Sequence, residues 1–157
     1  MDNTEQAVKW LSDKRKVKDT QDPLVIYYFI NKSLKMSAGK VAVQTARAGM
    51  VMYSKEHCLE DTHINTSLSE LFEDSFMHGN KSITLKANSS QMNRILNEDL
   101  NKVLVEISEE SGYPLRLYPV YDVGATEVPT NSLTVIALTP APASVLNKFT
   151  KKFQLYQ

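Results

Sequence analysis

One cysteine, Cys58, is present in 157 residues, so no intrachain disulfide can brace the fold, and this usage fits a reducing compartment. Long hydrophobic runs are missing as well. The longest, LVIYYFI at 24–30, is about a third of the roughly 20 residues that a bilayer-spanning helix needs. Net charge is absent: eighteen basic residues balance eighteen acidic ones, which excludes any argument from overall charge for a nucleic-acid or membrane-surface binder. Neither G-x-G-x-x-G nor G-x-x-x-x-G-K-[ST] occurs, so the dinucleotide and P-loop signatures are excluded. G-x-S-x-G is lacking too, and all three histidines (His57, His63, His78) lie in one acidic stretch, which argues against a serine-histidine hydrolase. With no internal repeat and no low-complexity tract, the length suits one domain with one core. The expectation is a soluble, cytoplasmic protein that does not engage a membrane.

What is present is unevenly distributed. Residues 1–55 carry ten Lys/Arg against five acids, while residues 56–80 carry six acids and no Lys or Arg. Apolar spacing predicts a helix over 4–18, ending before Pro23, and a central strand at PLVIYYFI. A loop of about ten residues follows, then a helix from Gly39 to about Ser54. Ala42, Ala46 and Gly49, at i, i+4 and i+7 on that helix, are expected to let it approach the sheet closely. A short helix is expected within TSLSELFEDSFM at 66–77, and a strand at 81–87. Residues 89–112 read as one long helix with Met92, Ile95, Leu96, Leu100, Val103 and Leu104 inward and Gly112 as its C-cap. Strands at 114–121 and 132–140 and a short helix after Pro142 complete an alternating pattern, which predicts an α/β sandwich with about four main strands.

Three stretches carry candidate chemistry. Lys40, Gln44 and Arg47 follow at intervals of four and three, so they form one polar stripe on the first turns of the helix. A lysine beside a helix N-terminus, with its free N–H groups, makes an anion-attracting corner suited to a phosphate or a developing oxyanion. The spacing leaves open whether the stripe is a solvated face or the wall of a site. The second stretch, YDVGATEVP at 121–129, places Asp122 and Gly124 in a turn after a strand, with the Thr126 hydroxyl four residues on. A turn-forming aspartate with no further duty remains the alternative. The third, EHCLEDTH at 56–63, has His57, Cys58 and His63 among carboxylates, but adjacent His and Cys and no paired spacing give no metal site. No metal and no other cofactor is expected.

Two of these stretches together resemble the type II peptidyl-tRNA hydrolases of archaea and eukaryotes. KSLKMSAGKVAVQTARAG at 32–49 is similar to that family's D-L-K-M-G-K-G-K-x-A-x-Q-x-x-H-A. DVGATEVPTNSLTVIALTPAP at 122–142 has the frame of D-A-G-x-T followed, seven residues later, by T-V-x-A-x-x-P-A-P. The resemblance runs from about Leu24 to the C-terminus, so 1–22 is taken as an N-terminal helical extension and 23–157 as the domain. It implies a three-layer α/β/α sandwich around a four-stranded mixed sheet, and hydrolysis of the ester joining a peptide to the 3′ ribose of tRNA. It assigns function to Lys40, Gln44, Asp122 and Thr126, and makes the basic N-terminal third, with Lys32, Lys35 and Arg47, the expected tRNA surface. Peptidyl-tRNA is then the partner, and a second copy of the chain a further one. Departures from the pattern include Ser37 and Ala38 in the loop, Arg47 where the family has histidine, and Ala125 where it has a basic residue. Arg47 is expected to take over a phosphate contact vacated at 125. The competing reading is a noncatalytic RNA- or protein-binding module on the same fold.

Overall fold

Strand β1, Leu24–Asn31, is buried from Val25 onward because its β-branched and aromatic side chains are covered on both faces. The computed structural model describes residues 22–58, 81–124 and 127–157; the helices expected at 4–18 and 66–77 fall outside them. After β1 come a single 3-10 turn (Lys32–Leu34), α1 (Ala38–Cys58), β2 (Ser82–Ala87), α2 (Ser89–Asn97), α3 (Asp99–Ser111), β3 (Leu117–Asp122), β4 (Ser132–Pro142) and α4 (Ala143–Thr150).

The sheet has the order β2-β1-β4-β3, with β1 and β2 parallel and β4 antiparallel to both β1 and β3. β1 and β3 therefore run the same way, and their C-terminal ends, Asn31 and Asp122, lie at one end of the sheet. This topology carries the β1–α1 loop and the β3–β4 turn to a common place.

Period-two alternation divides the core into two layers. Val25, Tyr27 and Phe29 pack with α2, α3 and α4, where Phe29 meets Phe149 and Phe153 edge-on at ring-centroid distances of 5.8 and 5.1 Å. Ile26, Tyr28 and Ile30 face the other way and pack with Val41, Ala48 and Met52 of α1. The result is the α/β/α sandwich with a four-stranded mixed sheet.

Two local expectations are corrected. Residues 89–111 form two helices, not one: Glu98, at φ −127° and ψ −146°, leaves the helical region. The inward residues jump five positions, from Ile95 to Leu100, and a straight helix would carry Leu100 off the sheet; the break resets the face. Asn101 Nδ2 then donates to the freed Ile95 O at 3.1 Å, and Arg94 makes a two-pronged ion pair with Asp99 across the break. Gly112 does end α3 in the left-handed conformation, its N–H donating to Ser108 O at 3.0 Å.

The second correction concerns α1. Ala42 and Ala46 are exposed, and the row on the sheet is Val41, Gln44, Ala48, Met52 and Glu56; of the three small residues only Gly49 makes a close approach, to Tyr28. Small size alone did not decide the face. Gln44 and Glu56 both find partners on the sheet side, where buried Glu56 accepts from the Tyr118 hydroxyl, with Arg116 Nη1 at 3.9 Å. Burial and the Glu56 carboxylate push the Tyr118 hydroxyl above its ordinary value.

Candidate active site

Two residues of the polar stripe of α1, Lys40 and Gln44, meet a carboxylate of the sheet, Asp122. Ser37 caps the helix, its Oγ accepting from Lys40 N at 3.2 Å and its carbonyl from Val41 N at 2.9 Å. The same Ser37 reaches across to the β3–β4 turn, donating to Glu127 from its N–H (2.9 Å) and its hydroxyl (2.6 Å). These two hydrogen bonds hold the Glu127 carboxyl below its ordinary value. Ser37 thus ties the α1 loop to the turn that follows Asp122.

Asp122 ends β3 almost wholly buried, and three donors converge on it. Lys40 Nζ lies 2.8 Å and Gln44 Nε2 2.9 Å from Oδ2, while Gly124 N donates to Oδ1 at 2.7 Å. A carboxylate offers about four acceptor positions, so one remains for a water or a substrate hydroxyl. The Lys40 hydrogen bond, then the Gly124 N–H and the positive charges of Lys40 and Arg47, hold the Asp122 carboxyl below the ordinary 3.8. It is therefore ionised throughout the neutral range.

Gln44 is oriented from behind. The Thr134 hydroxyl, fully buried, shares its proton between Gln44 Oε1 at 2.7 Å and Val120 O at 3.1 Å. With its oxygen engaged as acceptor, the Gln44 amide must present its NH₂ group to Asp122. Thr134 reaches α1 because of a bulge: Val120 pairs with Val135 and Tyr121 with Leu133, leaving Thr134 as the extra residue. Sequence reasoning assigned Thr134 no role. Its signals were a hydroxyl within the apolar run of β4 and its place at the head of the T-V-x-A-x-x-P-A-P frame.

Gly124 explains how the turn is held. At φ +77° it occupies the left-handed region, and a Cβ there would lie 2.5 Å from Thr130 N. Gly124→Ala should cost about 2 kcal/mol or more from strain and clash together, read as a drop in Tm, and activity should fall with it because relieving the clash draws the residue-124 N–H away from the Asp122 carboxylate. A variant with unchanged Tm and activity would show that the turn can relax without disturbing the site.

The structure thus joins Lys40, Gln44 and Asp122. Arg47, one turn beyond Gln44, is exposed, and Lys32 and Lys35 are exposed on the loop before α1, Lys35 with φ +50°. Thr126 and Ala125 lie outside the described residues, as do the side chains of the His57, Cys58 and His63 stretch. Among the described residues no three His, Cys, Asp or Glu gather as a metal site, and no helix is long and apolar enough to cross a membrane.

With this geometry in hand, comparison with known proteins identifies the family. The family model described as peptidyl-tRNA hydrolase PTH2 matches residues 24–156. A "Peptidyl-tRNA hydrolase" of Thermococcus onnurineus is 32% identical over 126 residues, 80% of this chain and 92% of that protein. Its counterpart from Thermococcus sibiricus is 29% identical with the same coverage. A "Probable peptidyl-tRNA hydrolase 2" of Dictyostelium discoideum is 32% identical over 127 residues, 81% of this chain and 52% of that protein. The matched region contains both halves of the Lys40–Asp122 site, and the chain belongs to the peptidyl-tRNA hydrolase PTH2 family.

Proposed function

We propose that the protein hydrolyses the ester between a peptide, or an N-blocked amino acid, and the 3′ ribose of tRNA, releasing the tRNA for reuse. The observation that carries this reading is the buried carboxylate of Asp122 held by Lys40 and Gln44 at the N-terminus of α1, in a chain of this family. Ester hydrolysis needs an oriented water and a positive group where the carbonyl oxygen becomes anionic.

In the proposed mechanism Asp122 binds the attacking water through its remaining acceptor position. A carboxylate held this low is a weak base, so its main service is orientation, with the proton leaving as the new C–O bond forms. Lys40 offsets the charge that grows on the acyl oxygen and then on the departing ribose oxygen. The acyl–ribose bond breaks, the proton from water ends on the ribose oxygen, and the peptide leaves as a carboxylic acid. Gln44 keeps Asp122 aimed, and Thr126 supplies a further hydrogen bond to the substrate. No step uses a metal or cofactor. The intact Lys40–Asp122 pair favours this reading over a noncatalytic module, which has no need of a desolvated charge pair.

Residues 23–157 form the catalytic domain in this reading, and a substrate made by translation assigns it to the cytoplasm. Arg47, Lys35 and Lys32 flank the site as exposed cations suited to the tRNA backbone. The decisive test is release of tRNA from a purified N-acetyl-aminoacyl-tRNA; no turnover above buffer rejects the hydrolase. Arg47→Ala should weaken tRNA binding and lower the slope of log affinity against log salt by about one, with kcat retained. An unchanged slope would remove Arg47 from the phosphate contacts.

A further inference from the structure

β3 is the terminal strand of the sheet, and among the described residues it pairs only with β4. Its pairing side is identified by Arg116, immediately before the strand, whose carbonyl accepts from Thr139 N at 3.0 Å. Alternation then turns the backbone of Tyr118 and Val120 toward β4 and that of Leu117 and Pro119 outward. Proline suits the outward position, having no N–H to leave unpaired. Leu117 presents both an N–H and a C=O to this edge, and Pro119 a C=O.

Beside the edge, on the face away from α1, lies a hollow of about 390 Å³ whose walls include Leu96, Val105, Leu117, Pro119 and Tyr121, with Asn97 among its polar groups. Apolar side chains stay exposed along it: Val105 is 49% and Tyr121 52% accessible, and Val123, just past Asp122, is 68%. Exposed apolar side chains beside an unpaired strand edge suit a partner that also offers main-chain hydrogen bonds. The edge strand ends on Asp122, whose carboxylate turns to the α1 face, so a strand added along β3 in the plane of the sheet ends beside that residue.

We propose that the free edge of β3 and this hollow hold the peptide of peptidyl-tRNA as an added extended strand, with its C-terminal ester at Asp122. The inference rests on the hydrolase reading and names the subsite for the acyl half of its substrate. Peptides interrupted during translation have no common sequence, so their side chains cannot be the recognition element. A strand edge reads main-chain N–H and C=O groups, which every peptide carries, and the hollow accepts alternate side chains without demanding one shape.

The test uses one tRNA esterified with N-acetyl peptides of one to six residues. KM should fall at least fivefold between one and four residues and level off by about six, the number β3 can pair, while kcat stays constant. N-methylation of successive peptide nitrogens should abolish the gain at alternate positions only, the signature of strand pairing. Val105→Asp, at an exposed position that leaves the core intact, should reduce the KM ratio of the shortest to the longest substrate to under twofold. A flat KM series, or a gain that N-methylation lowers without alternation, overturns the inference. So does a dimer in sedimentation equilibrium that Val105→Asp disperses, since a second copy would then occupy the edge. Failure to hydrolyse even the one-residue substrate removes the hydrolase reading and this inference with it; turnover with a flat series removes only the inference.

Discussion

Asp122→Asn is expected to lower kcat on N-acetyl-aminoacyl-tRNA by roughly a thousandfold, the middle of the range that positioned acid–base groups contribute. The change preserves shape and removes charge. An asparagine with its oxygen on Gly124 N turns an NH₂ group toward Lys40 Nζ and Gln44 Nε2, setting donors against donors where Oδ2 now accepts at 2.8 and 2.9 Å. The water loses its acceptor, and the Lys40 charge its partner. Steady-state kinetics with circular dichroism separates this from unfolding; a folded variant within threefold of the parent would remove Asp122 from the chemistry.

The pH dependence of the parent follows from the same contacts. Since the folded carboxyl lies below the ordinary 3.8, its pairing contributes stability above that value, which is lost as pH falls through the lower folded one. Asp122 is ionised throughout the working range, so kcat/KM should show no acid limb from it above about pH 5. A limb centred at pH 5 or higher in the parent, absent in Asp122→Asn, would contradict a carboxyl held low by Lys40 and Gly124.

Lys40→Met should reduce kcat by a factor of about 10² to 10³, the range for removal of one group that stabilises an oxyanion. Methionine keeps most of the alkyl length and loses only the charge, so packing at the α1 start is little disturbed. Asp122 retains Gln44 Nε2 and Gly124 N, but loses the first cause of its lowered value, and the acid edge of its stability contribution moves upward in pH. The split between constants is diagnostic. A rise in KM that added salt reproduces in the parent, with kcat intact, would make Lys40 a phosphate contact and not a group acting on the reacting oxygen.

Much of this architecture was legible from periodicity. The buried alternation of PLVIYYFI reads as a central strand because both faces of β1 are covered, and α1, β2, β4 and the Gly112 cap follow from equally local signals. Lys40, Gln44 and Asp122 were legible as candidates because polar residues interrupt otherwise apolar surroundings. The helix break at Glu98 was not. Through 89–111 the sequence carries no proline or glycine; Asn97, Asp99 and Asn101, weak helix formers suited to caps, are the one local signal, and the need to keep both Ile95 and Leu100 in the core sets the break there.

What the sequence by itself determined is most of the elements, the apolar faces of the strands and the identity of the three polar side chains, since hydrophobic spacing, capping and turn chemistry act within a few residues. Only the tertiary structure decided what those side chains do. The strand order β2-β1-β4-β3 brings the end of β3 to the start of α1, across 82 positions of sequence from Lys40 to Asp122. The bulge in β4 aims Thr134 at Gln44, and Ser37 is joined to Glu127 across the same gap. Such relations depend on register and packing between distant segments, and a one-residue shift in either strand would leave the local pattern of the chain unchanged while emptying the site.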